Sequence, residues 1–265
     1  LHSFPTRRSS DLAQFRRHGH IVRIDNSELF QSRQQREVAG LGVLELYPNR
    51  DSLQYQELYG LHEAELVFRG TFRYPGWCET MAGIVKLNLL DDAPDQALQN
   101  KTWRQIMAAR VGAEATDLRQ RTAHFLQLPP DHVILDRLQW LGVFDDVPLR
   151  AASVLDGLVV LMQERMSYKT GERDMVVLQH DFAVQNAEGG REHITSLLID
   201  YGEPAGDSSM SRTVGLPAAL AVHLILKKEI RMTGVHIPLS PSIYEPILHG
   251  LREMGVVFRD TIVQE

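Results

Sequence analysis

The nine residues Leu66-Val67-Phe68-Arg69-Gly70-Thr71-Phe72-Arg73-Tyr74 decide how this chain is read. Successive side chains of a strand point to opposite faces. Val67, Arg69, Thr71 and Arg73 then share one face, and Leu66, Phe68, Gly70, Phe72 and Tyr74 the other. Pro75 follows and opens a helix through about Leu89, since proline is tolerated in a first helical turn. Upstream, residues 42–47 (GVLELY) form a second strand stopped by Pro48, and residues 20–24 (HIVRI) a third. Residues 27–40 are polar and irregular, which predicts a loop or frayed helix. A short helix is expected over 53–59, with Asp51 or Ser52 as its cap and Gly60 as its stop.

Downstream the texture changes. Residues 102–111, 115–126, 131–141 and 151–168 carry helical spacing, separated by turn signals at Gly112, Pro129-Pro130, Gly142 and Pro148. Sheet character returns at 174–184 and 192–201, joined by a hairpin turn at Gly189-Gly190. Residues 208–230 are helical from a cap at Asp207 or Ser208, with a break or kink expected at Pro217. A last helix runs from Ser240-Pro241 to about Met254, and a short strand covers 256–259. The fold class is α/β: an α+β mixed-sheet domain carrying an all-helical insertion.

Composition narrows the function. With 43% apolar and 23% charged residues the chain is ordinary globular protein. Its longest apolar run, 216–226, falls short of the roughly 20 residues of a membrane span and is interrupted by Pro217 and His223. A net charge of -6 argues against nucleic acid as a partner, because phosphate neutralisation needs a basic face. The single cysteine, Cys78, fits a reducing, cytoplasmic setting. Residues 2–12 (HSFPTRRSSDL) resemble the translation of one frame of a common sequencing-adapter oligonucleotide. The segment 1–12 is therefore set aside as an artefact, and natural sequence is expected upstream of Ala13.

Several chemistries fail on spacing. Gly40-Leu41-Gly42 is followed by Glu45 where a third glycine belongs, and it precedes a strand instead of following one. That is the wrong context for a dinucleotide loop, so no cofactor-binding residue is assigned. The eleven histidines form no metal-ligand pattern, and no metal is expected. Cys78 stands near a helix start that could lower its pKa, but a small buried packing residue is the stronger reading. No catalytic residue is assigned. The arginines remain. Asn49-Arg50-Asp51-Ser52 follows a strand at its carboxyl end, and Arg69, Thr71 and Arg73 share a strand face. A guanidinium fork matches a carboxylate, each such pair being worth about 1.5–3 kcal/mol. From spacing alone, the solvated face of an antiparallel sheet is the simpler reading.

The two blocks Tyr47-Pro48-Asn49-Arg50-Asp51-Ser52 and Phe68-Arg69-Gly70-Thr71-Phe72-Arg73-Tyr74 resemble saccharopine dehydrogenase of the L-glutamate-forming kind. So, in order, do Trp103-Arg104-Gln105, Trp140-Leu141-Gly142, Glu172-Arg173-Asp174-Met175, Ser209-Met210-Ser211-Arg212-Thr213-Val214-Gly215-Leu216-Pro217 and Ile243-Tyr244. The resemblance covers roughly residues 20–258 and turns the reading of the arginines toward substrate. It implies an oxidoreductase that interconverts saccharopine with L-glutamate and 2-aminoadipate 6-semialdehyde, using NAD(P), in lysine metabolism. Saccharopine carries three carboxylates. On the family's motif Arg50 and Arg73 would clamp carboxylates, Thr71 would hydrogen-bond the substrate, and Phe72 would offer its backbone.

The resemblance also implies an organisation. Residues 13–90 with 172–206 would form the saccharopine-binding domain and 91–171 a helical subdomain. Residues 207–265 would return to a Rossmann domain that precedes this sequence and binds most of the NAD(P). Residues 13–265 by themselves are accordingly expected to show no turnover. A homodimer is the family expectation. Related readings are carboxynorspermidine or lysine-forming saccharopine dehydrogenase, a non-catalytic carboxylate-binding module, and an α/β binding domain of another kind.

Overall fold

The computed structural model describes residues 12–98, 100–112 and 117–264. The adapter-like string therefore lies outside the described residues, apart from Leu12. The chain divides into two compact units, Leu1–Ser167 and Tyr168–Glu265. The architecture is mixed α/β. Eight α-helices and three antiparallel sheets are present among the described residues.

In the first unit β1 (Ala13–Arg17) pairs with β2 (His20–Ile24). A second sheet has the order β3 (Gln34–Val38), β4 (Gly42–Pro48), β5 (Gly70–Arg73). Its registers place Leu44 opposite Arg36, Glu45 opposite Arg73 and Tyr47 opposite Thr71. β3 corrects the expectation of a loop. Gln34 to Glu37 are exposed and only Val38 is buried, so this edge strand lacks the apolar alternation by which strands are recognised. The Gly40-Leu41-Gly42 sequence is the turn between β3 and β4, with Gly40 and Gly42 at φ 82° and 76°. It is a hairpin turn between two antiparallel strands.

The long strand expected over 66–74 is shorter. Ladder pairing is confined to Gly70–Arg73, while Val67 bridges to Arg16 of β1. α1 (Gln54–Leu58) has no side-chain cap. The two residues expected to cap it serve the chain otherwise: Leu53 N–H donates to Asp51 Oδ1 at 2.8 Å, and Arg69 N–H to Ser52 Oγ at 3.0 Å.

Five helices, α2 (Trp77–Lys86), α3 (Trp103–Val111), α4 (Leu118–Leu126), α5 (Val133–Leu141) and α6 (Val154–Met166), enclose the main core. Trp103, Met107, Leu138 and Leu158 are buried at its centre, Tyr47 joins it from the sheet and Cys78 from the first turn of α2. Thr102 and Gln105 start α3 with a reciprocal capping box, and Gly112 and Gly142 end α3 and α5 in the left-handed conformation.

In the second unit β6 (Met175–Gln185) and β7 (Arg191–Tyr201) form the expected hairpin around Gly189, and β8 (Arg259–Gln264) adds to β7. β8 lies downstream of the expected 256–259, because its residues are all exposed and carry no burial pattern. α7 (Ser209–Leu226) begins at Ser208, whose Oγ accepts from Ser211 N–H at 3.0 Å. Asp174 accepts the N–H groups of Ser209 and Met210 at 2.7 and 2.8 Å, closing two donors that a helix start leaves unsatisfied. Of the break or kink expected at Pro217, the break does not occur, and the helix continues through it. One missing N–H is tolerated in a helix whose first turn is also tied by Thr213 Oγ1 donating to Ser209 O at 2.8 Å. At 18 residues and mean hydropathy 1.3, α7 is long and apolar enough to cross a membrane by length and composition alone. α8 (Pro241–Glu253) packs on it through Leu216, Leu220, Ile247 and Leu251.

Candidate functional site

The cationic residues separate into three fates. Arg69 turns away from any site: its Nη1 donates to Tyr55 Oη at 2.8 Å and its guanidinium lies 5.6 Å from the Tyr55 ring centre. Arg50 follows the end of β4, exposed, with φ 54°. A left-handed backbone is uncommon for a residue with a side chain, and strain of this kind is a pointer to function. The surroundings hold it. Asn49 N–H donates to Arg69 O at 2.9 Å, Gln14 N–H to Arg50 O at 3.0 Å, and Ser52 N–H to Gln14 O at 2.8 Å. Arg73 is half-buried on β5, its guanidinium 5.5 Å from the Trp77 ring centre and donating to Phe72 O at 3.0 Å.

The register puts Glu45, Tyr47, Thr71 and Arg73 on one face of the sheet, and Phe72 with Leu46 on the other. Thr71 and Arg73 are therefore brought together, while Phe72 could face the same ligand only through its backbone. Arg50 lies two residues past the end of β4, whereas Arg73 pairs with Glu45 within the ladder, so the two arginines stand at different points along the sheet.

Beneath Arg73 lies a polar network that reading the sequence had missed. Tyr47 is 4% exposed, pairs across the ladder with Thr71 and lies near the Arg73 side chain. Burial raises its pKa, partly offset by the Arg73 charge. Glu45 is 5% exposed, yet its pKa is lowered. Burial pushes upward, but two backbone donors outweigh it: Gly76 N–H to Oε1 at 3.0 Å and Cys78 N–H to Oε2 at 2.9 Å. Arg33 adds an ion pair at 3.3 Å. The Cys78 thiol is pushed up to about 12 by burial and by the Glu45 carboxylate, so it is a packed thiol and no nucleophile.

One hint of this network was present locally, a glutamate inside an otherwise apolar strand. Its partners come from 31 and 33 residues downstream, beyond the reach of any local pattern.

The turn before α2 also meets the helical layer. Arg137 of α5 donates to Gly76 O at 2.8 Å and to Thr80 Oγ1 at 3.0 Å. Trp77, Met81, Arg137, Trp140 and Met162 line an open apolar groove of about 240 Å³ beside it. Among the described residues no group of three or more His, Cys, Asp or Glu could hold a metal ion. Nor is there a glycine-rich strand-to-helix turn fit for a dinucleotide phosphate, since the Gly-x-Gly lies between two strands.

Sheet and helical layer together define a mixed α/β module that presents Arg73 and Thr71 on one sheet face. The model of the saccharopine dehydrogenase C-terminal domain matches residues 6–256, and the chain belongs to that family. Saccharopine dehydrogenase (NADP(+), L-glutamate-forming) of Schizosaccharomyces pombe is 33% identical over 264 residues, covering 96% of this chain and 59% of that protein. The mitochondrial alpha-aminoadipic semialdehyde synthase of Bos taurus is 37% identical over 223 residues, 81% of this chain and 24% of that protein. Among solved structures, apo histidine-tagged saccharopine dehydrogenase (L-Glu forming) from Saccharomyces cerevisiae superimposes with a TM-score of 0.87 at 32% identity. That match covers 96% of this chain and 59% of the yeast chain. The chain thus spans between a quarter and three-fifths of these relatives.

Proposed function

We propose that this chain supplies the substrate-binding part of an oxidoreductase interconverting saccharopine with L-glutamate and 2-aminoadipate 6-semialdehyde in lysine metabolism. The observation that carries the reading is the Arg73 guanidinium, half-buried near Tyr47 on a sheet whose adjoining strand is followed by Arg50, in a chain of this family. Arg73 takes one carboxylate and Arg50 a second at the far end of an extended substrate. Thr71 donates or accepts through its hydroxyl, and Phe72 offers backbone only. A guanidinium shielded from bulk water holds a carboxylate more firmly than one fully solvated.

NAD(P) belongs to the proposal through the relatives whose names include NADP(+), and a preceding nucleotide-binding half would hold it. The residues described here do not fit that role, and no step is routed through the cofactor. The apolar outer face of α7 is consistent with a chain that returns to such a half. A reducing, cytoplasmic location and a homodimer extend the proposal. The single buried thiol supports the location.

The test is calorimetric titration of saccharopine into the full chain, with Arg73→Ala and Arg50→Ala beside it. Each substitution should weaken binding at least about tenfold, the worth of one charge-assisted pair. Equal affinity in wild type and Arg73→Ala would sink the reading.

A further inference from the structure

We propose that Trp77, held in place by Glu45, is a positioning residue that orients the Arg73 guanidinium for a substrate carboxylate. The inference rests on the reading of Arg73 given above and adds two residues to it. Trp77 is the first residue of α2, and the N–H groups on either side of it, Gly76 and Cys78, both donate to the one buried Glu45 carboxylate. Glu45 is in turn the cross-strand partner of Arg73. One side chain of β4 therefore fixes the backbone on both sides of the indole that stacks with the arginine directly opposite it in the ladder. Arg137 ties the same turn from α5 through Gly76 O, so the indole has little freedom to withdraw.

A guanidinium stacked on an aromatic face is attracted by the ring and keeps its in-plane N–H groups directed outward. Arginine otherwise loses substantial rotamer freedom when it is fixed on a ligand. An arginine already held against the Trp77 ring, beside Tyr47 and tied to Phe72 O, has given up much of that freedom before substrate arrives, and preorganisation of this kind appears as affinity. The competing account is that the stack only stabilises the fold. The two accounts differ in whether the effect of Trp77 depends on Arg73.

The experiment compares saccharopine titrations of the full chain as wild type, Trp77→Leu, Trp77→Phe, Arg73→Lys and the double variant Arg73→Lys/Trp77→Leu. Arg73→Lys keeps the charge and removes the flat face. Trp77→Leu should weaken binding about three- to thirtyfold, the range of one cation–π contact. Trp77→Phe should recover most of that, and Trp77→Leu should add little in the Arg73→Lys background. In the ligand-free chain, the side-chain Nε–H resonance of Arg73, assigned by its loss in Arg73→Lys, should shift in Trp77→Leu as the ring current disappears. If wild type binds saccharopine and Trp77→Leu binds as well, or loses as much in the lysine background, positioning by Trp77 is refuted while the substrate reading stands. If the resonance shifts but wild type binds no saccharopine, the substrate reading fails and takes this inference with it.

Discussion

The two units place their apolar residues in opposite ways. In the first, five helices gather Trp103, Met107, Leu138, Leu158 and their neighbours into one continuous buried core. In the second, the buried clusters are small: Leu198, Leu251 and Val256 in one, Leu224, Ile230 and Ile243 in the other. There α7 leaves Met210, Val214, Val222, Ile225 and Leu226 exposed, and β8 is exposed throughout. What orders the second unit is its long antiparallel ladder, with β6 paired to β7 over eleven residues and β8 added along the edge. Backbone hydrogen bonds define shape well but contribute little net stability each, whereas burial drives folding. The first unit thus rests on its own core, and the second turns an apolar face outward.

This contrast can be broken by measurement. All three tryptophans, Trp77, Trp103 and Trp140, lie in the first unit, so their fluorescence during urea unfolding reports on that unit. Leu138→Ala, at a fully buried position of α5, should cost about 2–5 kcal/mol by that signal. A loss under 1 kcal/mol would show that the core is looser than its burial implies. Gly76→Ala should follow at about 3 kcal/mol. Gly76 has φ 89°, and an added Cβ would run into the Arg137 guanidinium.

Glu45→Gln should cost about 1–2 kcal/mol at neutral pH, and its signature is the acid limb. The folded pKa of Glu45 lies below its reference of 4.5, so its stabilisation is complete above about that value and disappears as pH falls through the folded pKa. Stability of the variant should therefore fall less steeply with acid than that of wild type, and parallel limbs would contradict the assignment. Smallest of all, Leu226→Ser on the exposed side of α7, at 77% exposure, should change stability by no more than about 0.5 kcal/mol. Thermal unfolding followed by far-ultraviolet circular dichroism, which reports on both units, checks this.

The fold was legible wherever burial and local chemistry coincided. Helical spacing and turn residues located α3, α5 and α6, and Gly189-Gly190 located the hairpin, because in each case the pattern that buries the chain is written in consecutive residues. β3 and β8 were missed or displaced because exposed edge strands need no apolar alternation. At the site, the motif residues Arg50, Thr71 and Arg73 could be named, and period-two alternation correctly set Phe72 against Arg73. What joins them could not be named. Glu45 marks the failed third position of a Gly-x-Gly pattern, and only folding brings Gly76, Cys78 and Arg33 around its carboxylate.

The clasp of Asp174 on the first turn of α7 has a consequence for how this chain can vary. The start of the helix is fixed by a carboxylate 35 residues earlier, at the root of the hairpin. The segment between Tyr201 and Ser208 therefore does not determine where the helix begins. Two glycines around that segment are constrained, since a Cβ at Gly202 would strike Asp174 and one at Gly206 would come within 2.9 Å of Glu203 Cβ. Changes elsewhere in 203–207 would leave the helix anchored at the same point of the ladder, by Asp174.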